Sequence, residues 1–164
     1  EQVAKNAQST TPNTASQVES TWEQRKQRER DGNASVLSGV PNSLPSLIKA
    51  YRIQDKARNV GFDWEEKEQV WDKVYEELEE LKNELMKEDK QRSTEELGDF
   101  LFSLINAARL YHLNPDNALE HTNQKFIKRF NYIEEAAKAK GVMIKDLTLA
   151  EMDELWNQAK AANN

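Results

Sequence analysis

The sequence predicts an all-α protein, and three observations carry that prediction. From residue 43 onward, apolar residues recur at three- and four-residue spacing, the period of a helix face. No segment alternates apolar and polar residues with period two, the mark of a half-buried strand. Helix-starting and helix-stopping residues punctuate the periodic runs: Asn114-Pro115, Thr148 with Glu151, and Gly141.

Taken in order, residues 1–17 read as a disordered or linker segment. The run Gln8-Ser9-Thr10-Thr11-Pro12-Asn13-Thr14 has little to bury. Residues 18–42 hold a short polar helix from Val18 to Arg30, anchored by Trp22, and a connector through Val36, Leu37, Val40 and Pro41. Gly32 and Asn33 stop that helix. The remaining residues, 43–164, form the main domain. Its first helix is expected from Ser43 to about Asn59, with Leu44, Leu47, Ile48, Tyr51, Ile53 and Ala57 inward and Pro45 tolerated in the first turn. Residues Asn59 to Asp63 form a turn, and Asp63 caps a second helix from about Trp64 to Met86. Ser93 and Glu96 match a capping box opening a third helix that ends near His112. Asn114-Pro115 opens a fourth helix that stops at Gly141, and Thr148 with Glu151 opens a fifth ending near Ala161. Short connections make neighbouring helices antiparallel. A few helices with wide apolar faces leave surface for a second copy, so a homodimer is expected.

Composition narrows the function. The chain has 164 residues, with 29 acidic against 23 basic side chains and a net charge of -6. That balance disfavours a nucleic acid or an anionic membrane as the main partner. There is no cysteine, hence no disulfide or thiolate metal site, which fits a reducing, cytoplasmic setting. No apolar run reaches membrane-spanning length, and no signal-peptide core is present. A start at Glu1 rather than Met is compatible with a fragment or a processed product.

One pattern occurs twice: Glu76-Glu77-Leu78-Glu79-Glu80-Leu81 and Glu95-Glu96-Leu97-Gly98-Asp99-Phe100. The apolar stripe around the first copy is Val70, Val74, Leu78, Leu81 and Leu85; around the second it is Leu97, Phe100, Leu101, Leu104, Ile105 and Ala108. Glu77 and Glu80 lie roughly 60° apart on one shoulder of their stripe, and Glu96 and Asp99 occupy the same place on theirs. Packing the stripes together gathers four carboxylates at the core's edge, where they repel unless protonated or bound to cations. Hard divalent cations such as Mg²⁺ and Mn²⁺ take such oxygen ligands. The alternative is a solvated acidic face, since the span from Glu65 to Glu88 is acidic throughout. Gly98 costs about 1 kcal/mol against Ala in a helix and is best explained as room for a close approach.

Four runs together resemble the MazG family: Asn59-Val60-Gly61-Phe62-Asp63-Trp64; Glu76-Glu77-x-x-Glu80; Glu95-Glu96-x-x-Asp99; and Asn123-x-Lys125-Phe126-x-x-Arg129-Phe130. The resemblance covers about Ser35 to Lys160 and is nearest the C-terminal of two tandem domains; the polar N-terminal stretch would then be an inter-domain linker. It implies an all-α nucleoside triphosphate pyrophosphohydrolase, using Mg²⁺ or Mn²⁺ in its place, with a role in nucleotide-pool sanitation. It implies Glu77, Glu80, Glu96 and Asp99 as metal ligands, and Glu76 and Glu95 as supporting acids that orient water or take its proton. It implies Lys125 and Arg129, one helical turn apart, as phosphate ligands, with Lys160 and Arg92 as further candidates and Trp156 near the base. Phe126 and Phe130 look like core anchors of that helix.

The two histidines have structural readings, His112 at a helix C-terminus and His121 on an amphipathic helix. Neither makes the Glu-x-x-His motif of a di-iron bundle. Two other functions stay open at this level. One is a specialised dUTP, dCTP or phosphoribosyl-nucleotide pyrophosphohydrolase of the same superfamily; the other is a non-catalytic helical interaction module.

Overall fold

The computed structural model describes Lys26 and residues 35–162. The linker and polar helix expected over residues 1–34 lie outside the described residues, apart from Lys26, which is helical and exposed. Five further helices follow: α1 Ser46–Asn59, α2 Val70–Met86, α3 Lys90–Leu110, α4 Pro115–Ala139 and α5 Leu149–Ala161. No described residue is in a strand. No described helix is long and apolar enough to cross a membrane. The expected all-α class holds.

The central unit is the antiparallel pair α2–α3, the most extensive packing in the chain. Only Lys87 to Asp89 separate the two helices, with Glu88 in the left-handed region at φ 58°. That turn sets the two acidic repeats side by side. Val70, Val74 and Ala107 form the core, flanked by Phe100, Leu110 and Tyr111. Trp71 Nε1 donates to Tyr111 Oη at 3.1 Å and locks the start of α2 to the end of α3. Helix α1 lies on α3, and α5 packs on α4 through Ile133, Ala137, Leu155 and Ala159.

Three helix starts differ from expectation. Helix α1 begins at Ser46 rather than Ser43, with Pro45 outside it in extended backbone at ψ 140°. The ring of Pro45 disfavours helical geometry at the residue before it. Helix α2 begins at Val70, not Trp64, after a 3₁₀ turn over Lys67–Gln69 capped reciprocally by Glu66 and Gln69. Asp63 does not cap it, because Arg109 holds its carboxylate. Helix α3 begins at Lys90, capped by Asp89, whose carboxylate accepts from Arg92 N–H. Ser93 already lies inside the first turn, its N–H bonded to Asp89 O, so the expected box with Glu96 does not form.

The ends follow one rule. After α1 and α4, Gly61 and Gly141 sit at φ 89° and 71°, and the next N–H reaches back to the third carbonyl from the helix end. After α3 the same closure uses His112 at φ 57°; Leu113 N donates to Ala108 O at 2.8 Å. The helix therefore stops at Leu110, and His112 belongs to its closing turn. Asn114 and Thr148 cap α4 and α5 as expected.

The inward faces are rotated from the expected stripes. On α2 the buried positions are Val70, Val74, Glu77 and Leu81, while Leu85 is exposed. On α3 they are Ser103, Ile105, Ala107 and Arg109, while Leu97, Leu101 and Leu104 are exposed. Steps of four, three and four residues keep a straight helix facing one neighbour. On α2 that face takes in Glu77 and leaves Leu85 outside. Polar groups occupy the α2–α3 seam at the level of the acidic repeats, and the displaced leucines face away.

Candidate functional site

Glu77, Glu96 and Asp99 converge so that one oxygen from each lies within 4.8 Å of the others. Glu77 is deeper than the expected core edge, at 6% exposure, while Glu96 is half-buried and Asp99 exposed. Glu77 Oε2 and Glu96 Oε2 are buried without a hydrogen-bond partner among the described residues. Burial is the main influence lifting the Glu96 carboxyl above the usual range; Glu80, Asp99 and Glu77 follow as neighbouring negative charges. Glu80 thus stands close enough to act on Glu96, although it is exposed and outside the tightest three. The four acids expected as a group come together around Glu96.

An all-oxygen donor set with two orphaned buried carboxylate oxygens fits a hard divalent cation. Such an ion would offset the burial and the neighbouring negative charges that raise Glu96.

Lys73 was not singled out by sequence. It sits one turn before Glu77 and bonds Glu77 Oε1 at 2.6 Å and Glu76 Oε1 at 3.1 Å. Its hydrogen bond to Glu77, then that to Glu76, raises the ammonium pKa above its ordinary value. Glu76 is turned to Lys73 rather than into the acidic group. Glu95 is exposed and accepts from Gln91 at 3.4 Å, also apart from the group. An i, i+4 pairing of Lys73 with Glu77 was the available signal, hidden among many such surface pairs.

Asp63 and Arg109 were also missed as a pair. Arg109 Nη2 donates to Asp63 Oδ1 at 2.6 Å and Nη1 to Oδ2 at 3.1 Å. Asn106 Oδ1 takes two further bonds from the same guanidinium, at 3.1 and 2.8 Å. This network fastens the turn after α1 to α3 and shapes a cleft of about 640 Å³, lined also by Glu77, Asp99 and Lys73. A separation of 46 residues left no sequence signal for it.

The basic and aromatic candidates other than Arg92, which is on α3, lie on the α4–α5 pair. The Arg129 guanidinium carbon stands 5.5 Å from the Trp156 ring centroid, and Phe126 stands 5.2 Å from the same ring. Arg129 Nε is buried without a partner among the described residues. Lys125 and Lys160 are exposed and form no ion pair among the described residues; Arg92 is exposed, 4.0 Å from Asp89. Phe126 is not the expected core anchor, being 56% exposed; it stacks on Phe130 and meets the Trp156 ring at a tilt of 52°. No hydrogen bond, ion pair or ring contact among the described residues joins this group to the acids. Gly98 admits no close approach within the chain, since nothing lies within 4 Å of a Cβ built there.

Comparison with known proteins places these features in a family. Residues 65–133 match the MazG nucleotide pyrophosphohydrolase domain, a span that contains both acidic repeats, Arg109, Lys125 and Arg129. The chain is 40% identical over 150 residues to a nucleoside triphosphate pyrophosphohydrolase of Escherichia coli, covering 89% of this chain and 57% of that protein. It is 38% identical over 143 residues to the nucleoside triphosphate pyrophosphohydrolase/pyrophosphatase MazG of Thermotoga maritima, covering 87% and 55%. It is 45% identical over 145 residues to the uncharacterised protein YabN of Bacillus subtilis, covering 87% and 30%. The chain thus spans a little over half the length of the first two relatives. With paired acidic repeats on adjacent helices and these matches, the chain carries a MazG nucleotide pyrophosphohydrolase domain over residues 65–133.

Proposed function

We propose that this chain hydrolyses nucleoside triphosphates to the monophosphate and pyrophosphate, with Mg²⁺ as cofactor and Mn²⁺ able to replace it. The observation that carries the reading is the convergence of Glu77, Glu96 and Asp99, with Glu80 beside them, around buried oxygens that lack partners. These four acids would hold the cation. When bound, it neutralises phosphate charge and acidifies water. Lys73 holds Glu77 through a short ion pair beside the group, and anchors Glu76 alongside it. Glu95 has a weakly held carboxylate one residue from Glu96, available to take a proton from the attacking water.

Lys125, Arg129, Lys160 and Arg92 supply positive charge for the triphosphate, and Trp156 steadies Arg129 through its ring face. Among the described residues no hydrogen bond, ion pair or ring contact joins α4–α5 to the acids, and exposed Leu97, Leu101 and Leu104 run along α3. A homodimer through this apolar surface accounts for both features. The absence of cysteine suits a cytoplasmic setting.

The test is to incubate the purified chain with each NTP and dNTP, with and without Mg²⁺, and identify products. The expected result is monophosphate and pyrophosphate with Mg²⁺ only, abolished by Asp99→Ala. Release of orthophosphate, or full turnover in Asp99→Ala at saturating Mg²⁺, overturns the reading. A panel of bases also separates broad specificity, which is expected, from preference for dUTP or dCTP.

A further inference from the structure

Glu77 is the deepest of the four acids, and its two oxygens are held differently. Its side chain is 8% exposed, and Oε1 accepts from Lys73 Nζ at 2.6 Å. Oε2 is buried and meets no donor among the described residues. A buried carboxylate oxygen left unpaired is costly, and a native fold keeps one where a ligand or water meets it. Glu77 also belongs to the three acids that converge, so its free oxygen is the one it can offer a cation there.

The ammonium on Oε1 is itself fixed. Lys73 makes a second bond, to Glu76 Oε1 at 3.1 Å, and so spans both acids of the first repeat. Lysine four residues before glutamate is the weaker order for such a pair on a lone helix, so helix geometry alone does not account for so short a contact. Burial of Glu77 strengthens it, because water there screens the pair less. Lys73, Glu77 and Asp99 all line one cleft, which puts the ammonium on the same surface as the acids.

Hard cations differ in what they ask of a carboxylate. Mg²⁺ demands near-octahedral geometry, takes one or two carboxylates and keeps several waters. Ca²⁺ gathers about six to eight oxygens and accepts a carboxylate through one oxygen or both. A carboxylate with one oxygen committed to an ammonium can give only the other.

We propose that Lys73 is a positioning residue that sets the choice of cation: by occupying Oε1 it makes Glu77 a one-oxygen ligand through Oε2, which favours Mg²⁺ over Ca²⁺. The proposal rests on the metal reading above. Glu76 then serves as the second anchor of that ammonium.

The experiment measures the dissociation constants of MgCl₂ and CaCl₂, each without nucleotide, for wild type, Lys73→Met and Lys73→Arg. Titration calorimetry and the rise of melting temperature with ion concentration give them. Removing the ammonium makes the site more negative and strengthens both ions, which carry the same charge, so the ratio of the two constants isolates coordination. In Lys73→Met the constant for Ca²⁺ should fall relative to that for Mg²⁺ by roughly tenfold or more, the size of effect expected when a group orienting a metal ligand is removed. Lys73→Arg, which keeps a donor on Oε1, should hold the ratio near its wild-type value. Lys73 has a side chain 40% exposed and methionine is a good helix former, so the variant should fold; Lys73→Ala repeats the measurement if it does not. An unchanged ratio in the variant without the ammonium, even with both constants shifted together, overturns the proposal. A ratio that moves as far in Lys73→Arg overturns it too. A wild type that binds both ions while the ratio stays fixed defeats the assignment of Lys73 alone. A wild type that binds neither ion defeats the metal reading and this proposal together.

Discussion

Arg109 is a guanidinium held at 6% exposure by four hydrogen bonds to Asp63 and Asn106. Removing one member of such a pair leaves a charge without its partner, so Arg109→Met should cost about 3 kcal/mol of stability, seen in chemical denaturation. The pair also has a pH signature. Hydrogen bonding to Arg109 is the first cause holding the Asp63 carboxyl below its ordinary value. A depressed carboxylate stabilises the fold fully above its unfolded pKa of about 3.9 and loses that contribution as pH falls toward the lower folded value. Asp63→Asn should therefore lower stability at neutral pH and flatten its decline below about pH 5. A parallel decline in wild type and Asp63→Asn would show that the pair carries no such linkage. Glu96 behaves in the opposite sense. It is crowded by burial and three acids, so Glu96→Gln should leave the melting temperature of the metal-free protein unchanged or higher. The same variant should lose the rise in melting temperature that Mg²⁺ gives the wild type.

Helix ends give predictions at the scale of the element. Gly141 has φ 71°, which L side chains adopt at a cost of about 1–2 kcal/mol, although a Cβ there would meet nothing within 4 Å. Gly141→Ala should destabilise by about 1 kcal/mol through backbone strain alone. His112 occupies the equivalent place after α3 with a side chain already present, so His112→Gly should be neutral or mildly stabilising. Calorimetry on the two variants decides this; equal losses in both would mean that the closing turn is not what sets them apart. The Lys87 to Asp89 connection matters more for function. Its shortness fixes the register of α2 against α3, and register is what brings Glu77 opposite Glu96 and Asp99.

For the whole molecule, only nine apolar residues are buried among the described residues, against a long set of exposed ones that includes Leu85, Met86, Leu97 and Leu101. A groove between α1 and α3, lined by Leu47, Ala50, Gly98, Leu101 and Leu104, is open on this surface. The homodimer reading predicts a melting temperature that rises with protein concentration, because association is linked to folding. A monomeric mass by light scattering from micromolar to near-millimolar concentration would count against it. Lys125→Ala and Arg129→Ala should each lower kcat/KM about 10- to 150-fold, similarly for all four NTPs, because the triphosphate is common to them. A loss confined to one base would move these residues to base recognition.

The helical class, the five helices, the caps at Asn114 and Thr148 and the pairing of Glu77 and Glu80 with Glu96 and Asp99 were legible in the sequence. The class, helices and caps depend on spacing within about one turn, which a chain displays without folding; the pairing of the acids follows from two such faces joined by a short connection. Three starts were misplaced: Pro45 kept the residues before Ser46 out of α1, and a far and a near partner decided the other two. Arg109 took Asp63 away from α2, and Asp89 capped α3 ahead of Ser93. The inward faces were misjudged for a related reason. Leu85, Leu97, Leu101 and Leu104 looked like core by hydrophobicity alone, yet the seam of α2 and α3 is occupied by Glu77, Glu96 and Ser103. Periodicity reports that a helix has a face; it does not say which neighbour receives it. Gln54 against Phe102 O and Arg109 against Asp63 exist only once α1, the turn after it and α3 are packed. Tertiary structure alone decided the cleft, because contacts between residues tens of positions apart have no period to betray them.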